Sequence, residues 1–379
     1  GTYLFSGLPQ GDYIVKVTPP AGYSSTVDTA NIGDTTNPNN NINNNDNGVG
    51  IGIGQASGNV VTLTPGSFGA AVNNVVSNAT GTTTNPTMDF GFIPVPFSLG
   101  NRVWFDTDNS GTINGTENGI NGVTVQVYAA DISGNPTGAV LGTQTTANGG
   151  YYRFDNLIAG DYVVVIPATQ FGAGGVLDGY WSSSTTVNGT GVVSETAAPD
   201  PDNNTDSDDN GTLQTAGAFN GAVISSAVTL GPTNIEPITD ADADPTNPAG
   251  EAVNDQSNRT VDFGFYRAEL SNQIFLDANN NGTYDAGDAV LPGATVRLYA
   301  SNGTTEINVG PDGIFGTADD AAGGITTGAG GTYLFSGLPQ GSYIVKVTPP
   351  VGHASTVDTA NSGDTTNPNA NIDNNDNGV

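Results

Sequence analysis

The chain repeats itself over a long period. Its first 49 residues return 330 positions later, as residues 331–379, with only seven differences. Copies this close indicate duplication of a long unit, and duplicated units fold as a series of similar bodies in contact with their neighbours. We therefore interpret the chain as a segment of a longer repetitive polypeptide, whose function belongs to the repeating unit.

A shorter repeat inside the long one predicts the domain boundaries. Residues 99–106 match residues 270–277 at an offset of 171, and residues 88–92 match residues 261–265 just before each new start. The chain is therefore divided into a first, a central and a third region: residues 1–96, 97–267 and 268–379. About 170 residues are enough for one buried core.

The three regions are not expected to be equally complete. The central region should be a whole domain, whereas the first region holds the back part of one domain and the third region holds the front part of another. Half a sandwich exposes unpaired strand edges, which natural β proteins avoid. We expect the missing strands to come from adjacent repeats of the same polypeptide or from neighbouring chains in a filament.

Charge and composition narrow the class of protein. The chain carries 37 acidic against 7 basic residues, for a formal charge of -30, so nucleic acid and anionic membranes would repel it. It contains no apolar run of about 18 residues that could span a membrane. The 54 Gly and 22 Pro favour short strands joined by turns, and the absence of Cys excludes disulfides.

Strand-like periodicity dominates the chain. Val123, Val125 and Val127 alternate with polar or aromatic residues, which is the pattern of a half-buried strand. Residues 151–166 have the pattern of two strands joined by a short turn at Gly160. No segment has the apolar spacing of a helix. The predicted fold is all-β, with antiparallel β-sandwich domains in tandem and long loops.

The segment with the clearest pattern of metal ligands follows the first strand of the central region. Residues 106–117 match the spacing of a twelve-residue calcium loop, with Gly111 at the sixth position, where a sharp turn is needed. Ca²⁺ prefers six to eight oxygen ligands. The predicted ligands are Asp106, Asp108, Ser110, the Thr112 carbonyl, Asn114 and Glu117.

The third region carries a second copy of this loop at residues 277–288. Its predicted ligands are Asp277, Asn279, Asn281, Thr283, Asp285 and Asp288. The closing residue is an aspartate here, one methylene shorter than Glu117, so we expect weaker binding. The alternative for both loops is an ordinary turn stabilised by Asn and Asp side chains without metal.

Other acidic loops are weaker candidates. Asp206, Asp208 and Asp209 lie in one acidic loop, which is either a further calcium site or a solvated loop. The copy of this loop in the first region has lost several carboxylates to Asn, so we expect the Asp-rich loop to bind more tightly than its copy. Residues 311–320 and 240–244 are rich in Asp but lack a firm ligand spacing.

These motifs resemble a known family. Residues 99–106, the loop after them and the strand at 119–127 are similar to the B-type domain of serine-aspartate repeat surface adhesins, the SdrD B-like domain. The hairpin at 331–347 and the closing residues 262–265 extend the similarity. That family is related to the Ig-like B-type domains of collagen adhesins (Cna B-type). The resemblance implies secreted, extracellular, calcium-stiffened domains in a stalk on the cell surface, without enzymatic activity.

Two functions remain open. The first is a structural stalk or filament, and the alternative is an adhesive module whose loops contact a glycan, the cell wall or a partner protein. Near-identical repeats favour the stalk, because a stalk needs many equivalent units. Tyr180 and Trp181 could form a sugar platform or simply pack. His353, the only histidine, is Tyr23 in the other copy, so no repeated catalytic base exists.

Overall fold

The computed structural model describes residues 1–20, 22–26, 46–52, 55–63, 88–203, 205–231, 256–356, 369 and 376. Regular structure in these residues is almost entirely β, which confirms the predicted fold class. Short 3-10 turns occur at Ala168–Gln170 and Pro201–Asn203.

The first region contains short strands arranged in small sheets. They are β1 (Gly11–Tyr13), β2 (Lys16–Val17), β3 (Tyr23–Ser25), β4 (Gly48–Gly52), β5 (Gln55–Gly58), β6 (Val61–Leu63) and β7 (Phe92–Pro94). β1 pairs with β6, β3 with β7, and β5 lies between β2 and β4. Residues 1–10 form no strand and are exposed.

The central region is a sandwich of two larger sheets. Its strands are β8 (Phe97–Phe105), β9 (Thr124–Ala130), β10 (Pro136–Thr145), β11 (Tyr151–Leu157), β12 (Gly160–Ile166), β13 (Trp181–Ser182), β14 (Thr185–Val187), β15 (Val193–Glu195), β16 (Thr212–Leu213), β17 (Val223–Ile224), β18 (Val228–Leu230), β19 (Ser257–Asn258) and β20 (Phe263–Tyr266). One sheet has the order β10-β9-β12-β17-β16, with β18 also paired to β12, and the other has the order β11-β8-β20-β13, with β19 also paired to β8.

A single apolar cluster fills the space between these two sheets. It includes Leu99 and Val103 from β8, Val125 from β9, Phe154 from β11 and Phe263 from β20, all of them buried. Alternate residues of each strand face inward, as the period-two pattern predicts. The cluster therefore joins the first strand of the central region to the last.

The pairings of β8 with β19 and with β20 differ from the expected antiparallel arrangement. β20 runs parallel to β8, with Phe263 opposite Val103 and Phe265 opposite Phe105. A strand that returns over the top of the sandwich can run parallel to the first strand. The alternation of inward and outward residues is the same for both directions, so the pattern cannot distinguish them.

The third region repeats the front half of this arrangement. Its strands are β21 (Ala268–Gln273), β22 (Phe275–Leu276), β23 (Ala289–Val290), β24 (Thr295–Ala300), β25 (Glu306–Ile307), β26 (Ile325–Thr326), β27 (Thr332–Leu338) and β28 (Tyr343–Thr348). β21 pairs with β27, and β24 pairs with β25, β26 and β28. Val296, Leu298, Phe335 and Leu338 form the buried cluster between them.

Candidate metal centre

The first predicted calcium loop begins where β8 ends. Asp106, the next residue, is fully buried, and its carboxylate accepts the backbone N–H groups of Ser110 (3.0 Å) and Gly111 (2.9 Å). Two residues with positive φ make the turn possible: Asn109 at 56° and Gly111 at 70°. The loop therefore wraps around the carboxylate of Asp106.

Glu117 closes the loop. Its carboxylate accepts the backbone N–H groups of Thr107 (2.6 Å) and Asn114 (3.1 Å). Asp108 accepts the backbone N–H of Ser110 and the side-chain amide of Asn114, both at 3.1 Å. As a result, carboxylate oxygens of Asp106, Asp108 and Glu117 lie within 4.8 Å of one another, as the spacing predicts.

The remaining predicted ligands also lie at this loop. The Ser110 hydroxyl is 3.2 Å from the Thr112 carbonyl oxygen and accepts a hydrogen bond from the Asn114 amide at 3.0 Å. The loop therefore gathers hydroxyl, carbonyl, amide and carboxylate groups in one place. This oxygen-rich donor set suits a hard cation such as Ca²⁺.

The electrostatics of the loop also fit a cation. Among the described residues, neither Lys nor Arg forms an ion pair with the three carboxylates. Hydrogen bonds from the Ser110 hydroxyl and then from the Asn114 amide lower the pKa of Asp108, so this carboxyl stays ionised at neutral pH. Three clustered carboxylates without a basic partner repel one another, and a bound divalent cation would relieve that repulsion.

The second loop has the same internal hydrogen bonds. Asp277 accepts the N–H groups of Asn281 (3.2 Å) and Gly282 (2.7 Å), as Asp106 does in the first loop. Asp288 accepts the N–H groups of Ala278 and Asp285, both at 2.9 Å, as Glu117 does for its counterparts. The two sequences therefore build one loop geometry.

The two loops differ in how closely their acidic groups approach. In the part of the chain that the structure describes, only the first loop brings three carboxylates within 4.8 Å. In the second loop, the Asp285 carboxylate accepts the side-chain amide of Asn281 at 2.7 Å. Burial of the Asp277 carboxyl raises its pKa, but N–H bonds from Gly282 and its neighbours outweigh this effect and lower the pKa overall. Weaker calcium binding by the second loop stays a prediction.

The Asp206–Asp209 loop lies directly against the first calcium loop. Thr112 and Asp208 form an antiparallel bridge, and the Ile113 N–H donates to the Ser207 carbonyl at 2.8 Å. The Asp209 N–H donates to the Gly111 carbonyl at 2.9 Å. The acidic loop therefore braces the candidate metal loop through backbone hydrogen bonds.

Asp209 connects this loop to the closing strand. Its buried carboxylate accepts the N–H groups of Gly211 (3.1 Å) and Gly264 (3.0 Å). Burial raises the pKa of Asp209 well above its ordinary value, although these two bonds oppose the shift. The sequence predicts Asp209 as a calcium ligand and does not predict this structural role.

The first region makes the same connection. Asp46 accepts the N–H groups of Gly48 (2.8 Å) and Gly91 (3.1 Å). A signal for this role is present in the sequence: Asp46, Asn47 and Gly48 keep the residues of the central copy, whereas Asp206 and Asp208 become Asn. Retention of one Asp among lost ones indicates a carboxylate needed for structure.

The other acidic candidates are less organised. The Asp206 carboxylate accepts a hydrogen bond from the side-chain amide of Asn101 at 2.7 Å, and the same amide donates to the buried Asp262 carboxylate at 3.2 Å. Burial and the nearby Asp206 raise the pKa of Asp262 well above the usual range. In residues 311–320, Asp312 and Asp320 bind backbone N–H groups of their own turn. Residues 240–244 lie outside the described residues. Calcium binding by Asp206, Asp208 and Asp209 stays a prediction.

The aromatic candidates pack against neighbouring residues. Tyr180 lies edge-on to Phe105, with ring centroids 5.8 Å apart, and the Arg267 guanidinium lies over its ring. The Trp181 indole N–H donates to the Gly337 carbonyl of the third region at 2.8 Å. The structure therefore favours packing over an open sugar platform for both side chains.

Comparison with known proteins identifies the family. The SdrD B-like domain model matches residues 97–230 and 268–378, which together make up more than half of the chain. The chain belongs to the SdrD B-like domain family. This confirms the resemblance noted in the sequence, and the family brings no enzymatic activity. In the described residues, no helix is long and apolar enough to cross a membrane.

Similar proteins include serine-aspartate repeat-containing proteins, which are much longer than this chain. The chain is 27% identical over 359 residues to serine-aspartate repeat-containing protein D of Staphylococcus aureus (strain Newman), covering 94% of the chain and 19% of that protein. It is 33% identical over 166 residues to serine-aspartate repeat-containing protein C of Staphylococcus aureus (strain N315), covering 44% of the chain and 13% of that protein. The chain thus spans under a fifth of these relatives.

Solved structures that resemble the chain are more distant. A streptococcal ancillary pilin is 12% identical with a TM-score of 0.28, covering 92% of this chain and 88% of that one. The shaft pilin SpaA of Lactobacillus rhamnosus GG is 15% identical with a TM-score of 0.27, covering 69% of this chain and 90% of that one.

Proposed function

We propose that the chain is a segment of an extracellular bacterial surface stalk whose tandem β-sandwich domains are stiffened by Ca²⁺. The observation that carries this proposal is the recurrence of one loop, with the same internal hydrogen bonds, after the first strand of two successive regions. A repeated unit that is placed under tension needs equivalent stabilising sites in each copy.

Family membership supports the location and the mechanical role. The relatives are serine-aspartate repeat proteins of Staphylococcus aureus, and domains repeated within a long chain suit a spacer more than a single receptor site. Neighbouring repeats would then be the main partners of each domain. A glycan or cell-wall component remains the partner of the alternative, adhesive function.

In the first loop, the ion would be held by Asp106, Asp108, Ser110, the Thr112 carbonyl, Asn114 and Glu117. Bound Ca²⁺ supplies positive charge that neutralises clustered carboxylates and cross-links the ends of the loop. The residues of the chain position this loop. Asp106 follows β8 directly, Glu117 lies beyond the turn, and the neighbouring acidic loop is bonded to Gly111 and Thr112. Fixing this loop would therefore hold β8 against the closing part of the sandwich.

The proposal is tested by thermal unfolding of the full chain in chelator and in 10 mM Ca²⁺. Extracellular modules bind Ca²⁺ with Kd of roughly 10⁻⁴ to 10⁻³ M, so each occupied site should add about 1.4 to 2.7 kcal/mol of unfolding free energy. For a domain of this size, that corresponds to a rise in Tm of several degrees. Trp104, buried in the central region, provides a fluorescence signal for its unfolding.

Two variants make the test specific. Glu117→Gln removes one ligand charge while keeping the shape of the side chain, and should abolish most of the response of the central region. Asp131→Asn is the matched control: Asp131 also accepts backbone N–H groups in an exposed turn, at Ser133 and Asn135, but it lies outside the metal loop. An unchanged Tm on adding Ca²⁺ to the unmodified chain would refute the calcium part of the proposal.

A further inference from the structure

The turn between β27 and β28 contacts the end of the central region. Gln340, in this turn, bonds to the central region through three separate groups. Its backbone N–H donates to the Tyr266 hydroxyl (2.8 Å), its carbonyl accepts the Val187 N–H (2.8 Å), and its side-chain oxygen accepts the Asn109 amide (2.5 Å). One residue of the third region is therefore fastened at three points to the domain before it.

Shape complementarity surrounds this polar contact. The Trp181 indole N–H bonds to the Gly337 carbonyl, and its ring lies 6.0 Å from that of Phe315. A Cβ at Gly341 would lie 2.2 Å from a methyl carbon of Val187, so only glycine fits this approach. The two surfaces are thus matched in detail, whereas domains joined only by a linker move relative to each other by default.

The groups on the central region are themselves held in place. The Tyr266 hydroxyl donates to the Thr185 carbonyl at 2.5 Å, and Tyr266 is buried. Asn109 lies at the tip of the first candidate metal loop, where its side-chain oxygen accepts the Ser184 N–H at 2.6 Å. Gln340 therefore meets a preorganised surface.

The equivalent contact between the first and central regions has different chemistry. Alignment of the hairpins places Ala159 where the third region has Gln340, and alignment of the closing strands places Ile93 where the central region has Tyr266. Ala159 lies against Gly22, since a Cβ at Gly22 would be 2.7 Å from the Ala159 Cβ. The side-chain amide and the phenol hydroxyl of the other contact are thus replaced by apolar side chains.

We propose that these contacts are joints of different stiffness: a polar clamp, fastened by Gln340, between the central and third regions, and a compliant joint between the first and central regions. The inference rests on the proposed stalk function and adds that stiff and compliant joints alternate along the stalk. Because residues 7–10 repeat the sequence of the clamped turn, Gln10 supplies the same group for a domain with the central region's surface.

Distance measurements between spin labels test the difference. The chain has no Cys, so labels at introduced cysteines are unambiguous. The pair Ile132→Cys and Val351→Cys spans the clamp, and the pair Ile14→Cys and Ile132→Cys spans the first joint; all three positions are exposed. We expect a narrow distance distribution across the clamp and a broader one across the first joint. Gln340→Ala should broaden the clamp distribution toward that of the first joint, and Gln10→Ala should leave both unchanged.

Local unfolding is separated from joint opening by a second measurement. Trp104→Phe leaves Trp181 as the only tryptophan, and opening of the clamp should increase quenching of its fluorescence by acrylamide without lowering the Tm of the central region. Equal widths for the two joints, or an unchanged clamp distribution in Gln340→Ala, would overturn the inference. If Ca²⁺ still raises the Tm in that case, the stalk proposal survives while the two-joint inference fails.

Discussion

Two copies of one sequence adopt different structures in this chain. Residues 331–340 include all of β27, where Phe335 is 0% exposed and Leu338 is 1% exposed. Residues 1–10 have the identical sequence but form no strand, and Phe5 and Leu8 are 61% and 42% exposed. Sequence identity over the whole segment is therefore not sufficient for the strand.

The difference comes from long-range partners. β27 pairs with β21, with Leu270 opposite Phe335, and the cluster around Val296 and Leu298 covers the inner face of the strand. Within the described residues, the first copy has no strand equivalent to β21 beside it. Strand formation thus depends on cross-strand contacts more than on intrinsic preference.

The turn that follows is the same in both copies. The Tyr343 hydroxyl donates to the Pro339 carbonyl at 2.6 Å, and the Tyr13 hydroxyl donates to the Pro9 carbonyl at 2.7 Å. The central region repeats this bond between Tyr162 and Ile158 at 2.7 Å. A contact between residues four apart needs no distant partner, so local sequence is enough to form it.

The largest expected effect is a difference in the loss of stability between substitution of the buried Phe335 and substitution of the exposed Phe5. Phe335→Ala should destabilise the third region by about 3 to 5 kcal/mol, because it leaves a cavity in a buried cluster. Phe5→Ala, the matched control, should cost under about 0.5 kcal/mol, because the side chain is largely in solvent. Amide hydrogen exchange, followed region by region in the full chain, measures both. Equal losses would show that the first copy is as well packed as the third.

A smaller effect is expected at the turn tyrosines. Tyr343→Phe removes the bond to Pro339 from a half-buried site and should cost about 1 kcal/mol. Burial raises the pKa of Tyr343, so its hydroxyl stays protonated and donating at all ordinary pH values. Tyr13→Phe removes the same bond at an exposed site and should cost less. Hydrogen exchange of the β28 and β1 amides reports the two losses, and a larger loss at Tyr13 would contradict the comparison.

The smallest expected effect is a change in how steeply the free energy of unfolding depends on pH, and it is expected on substitution of Asp209. Its folded pKa is raised, so the folded state holds a proton that the unfolded state has lost at pH values just above about 3.9. The contribution of this carboxyl to stability is therefore complete below that pH and is lost as the pH rises through the folded pKa. Asp209→Asn keeps an oxygen for Gly211 and Gly264 and should flatten this fall.

Urea unfolding of the central region at a series of pH values, in chelator, measures that slope. Asp46→Asn serves as the matched control, because Asp46 makes the same two bonds in the first region and should leave the central transition unaffected. A steeper pH dependence in Asp209→Asn would show that folding does not raise the pKa of Asp209.

Much of the fold could be predicted because its determinants are local in sequence. The alternation in β9 and β11 predicts half-buried strands, and the spacing from Asp106 to Glu117 predicts a loop that gathers its carboxylates, as observed. The parallel pairing of β8 with β20 could not be predicted, because side-chain alternation carries no information about strand direction.

Other features depend on residues far apart in the chain. The Trp181 bond to Gly337 spans 156 positions, and the Asp209 bond to Gly264 spans 55. Nothing near Trp181 or Asp209 in the sequence specifies these partners. Only comparison of the copies, in which Asp46 is retained and Ala159 replaces Gln340, contains a trace of them.

The parallel pairing of β8 and β20 has a mechanical consequence. β8 begins the central region and β20 ends it, and the two strands lie side by side in the same direction. Tension applied at the two ends of the region therefore slides one strand along the other, so that the hydrogen bonds between them resist together in shear. A hairpin pulled at its open end would instead unzip one bond at a time. The central region is thus strongest along the direction in which a tethered chain is stretched.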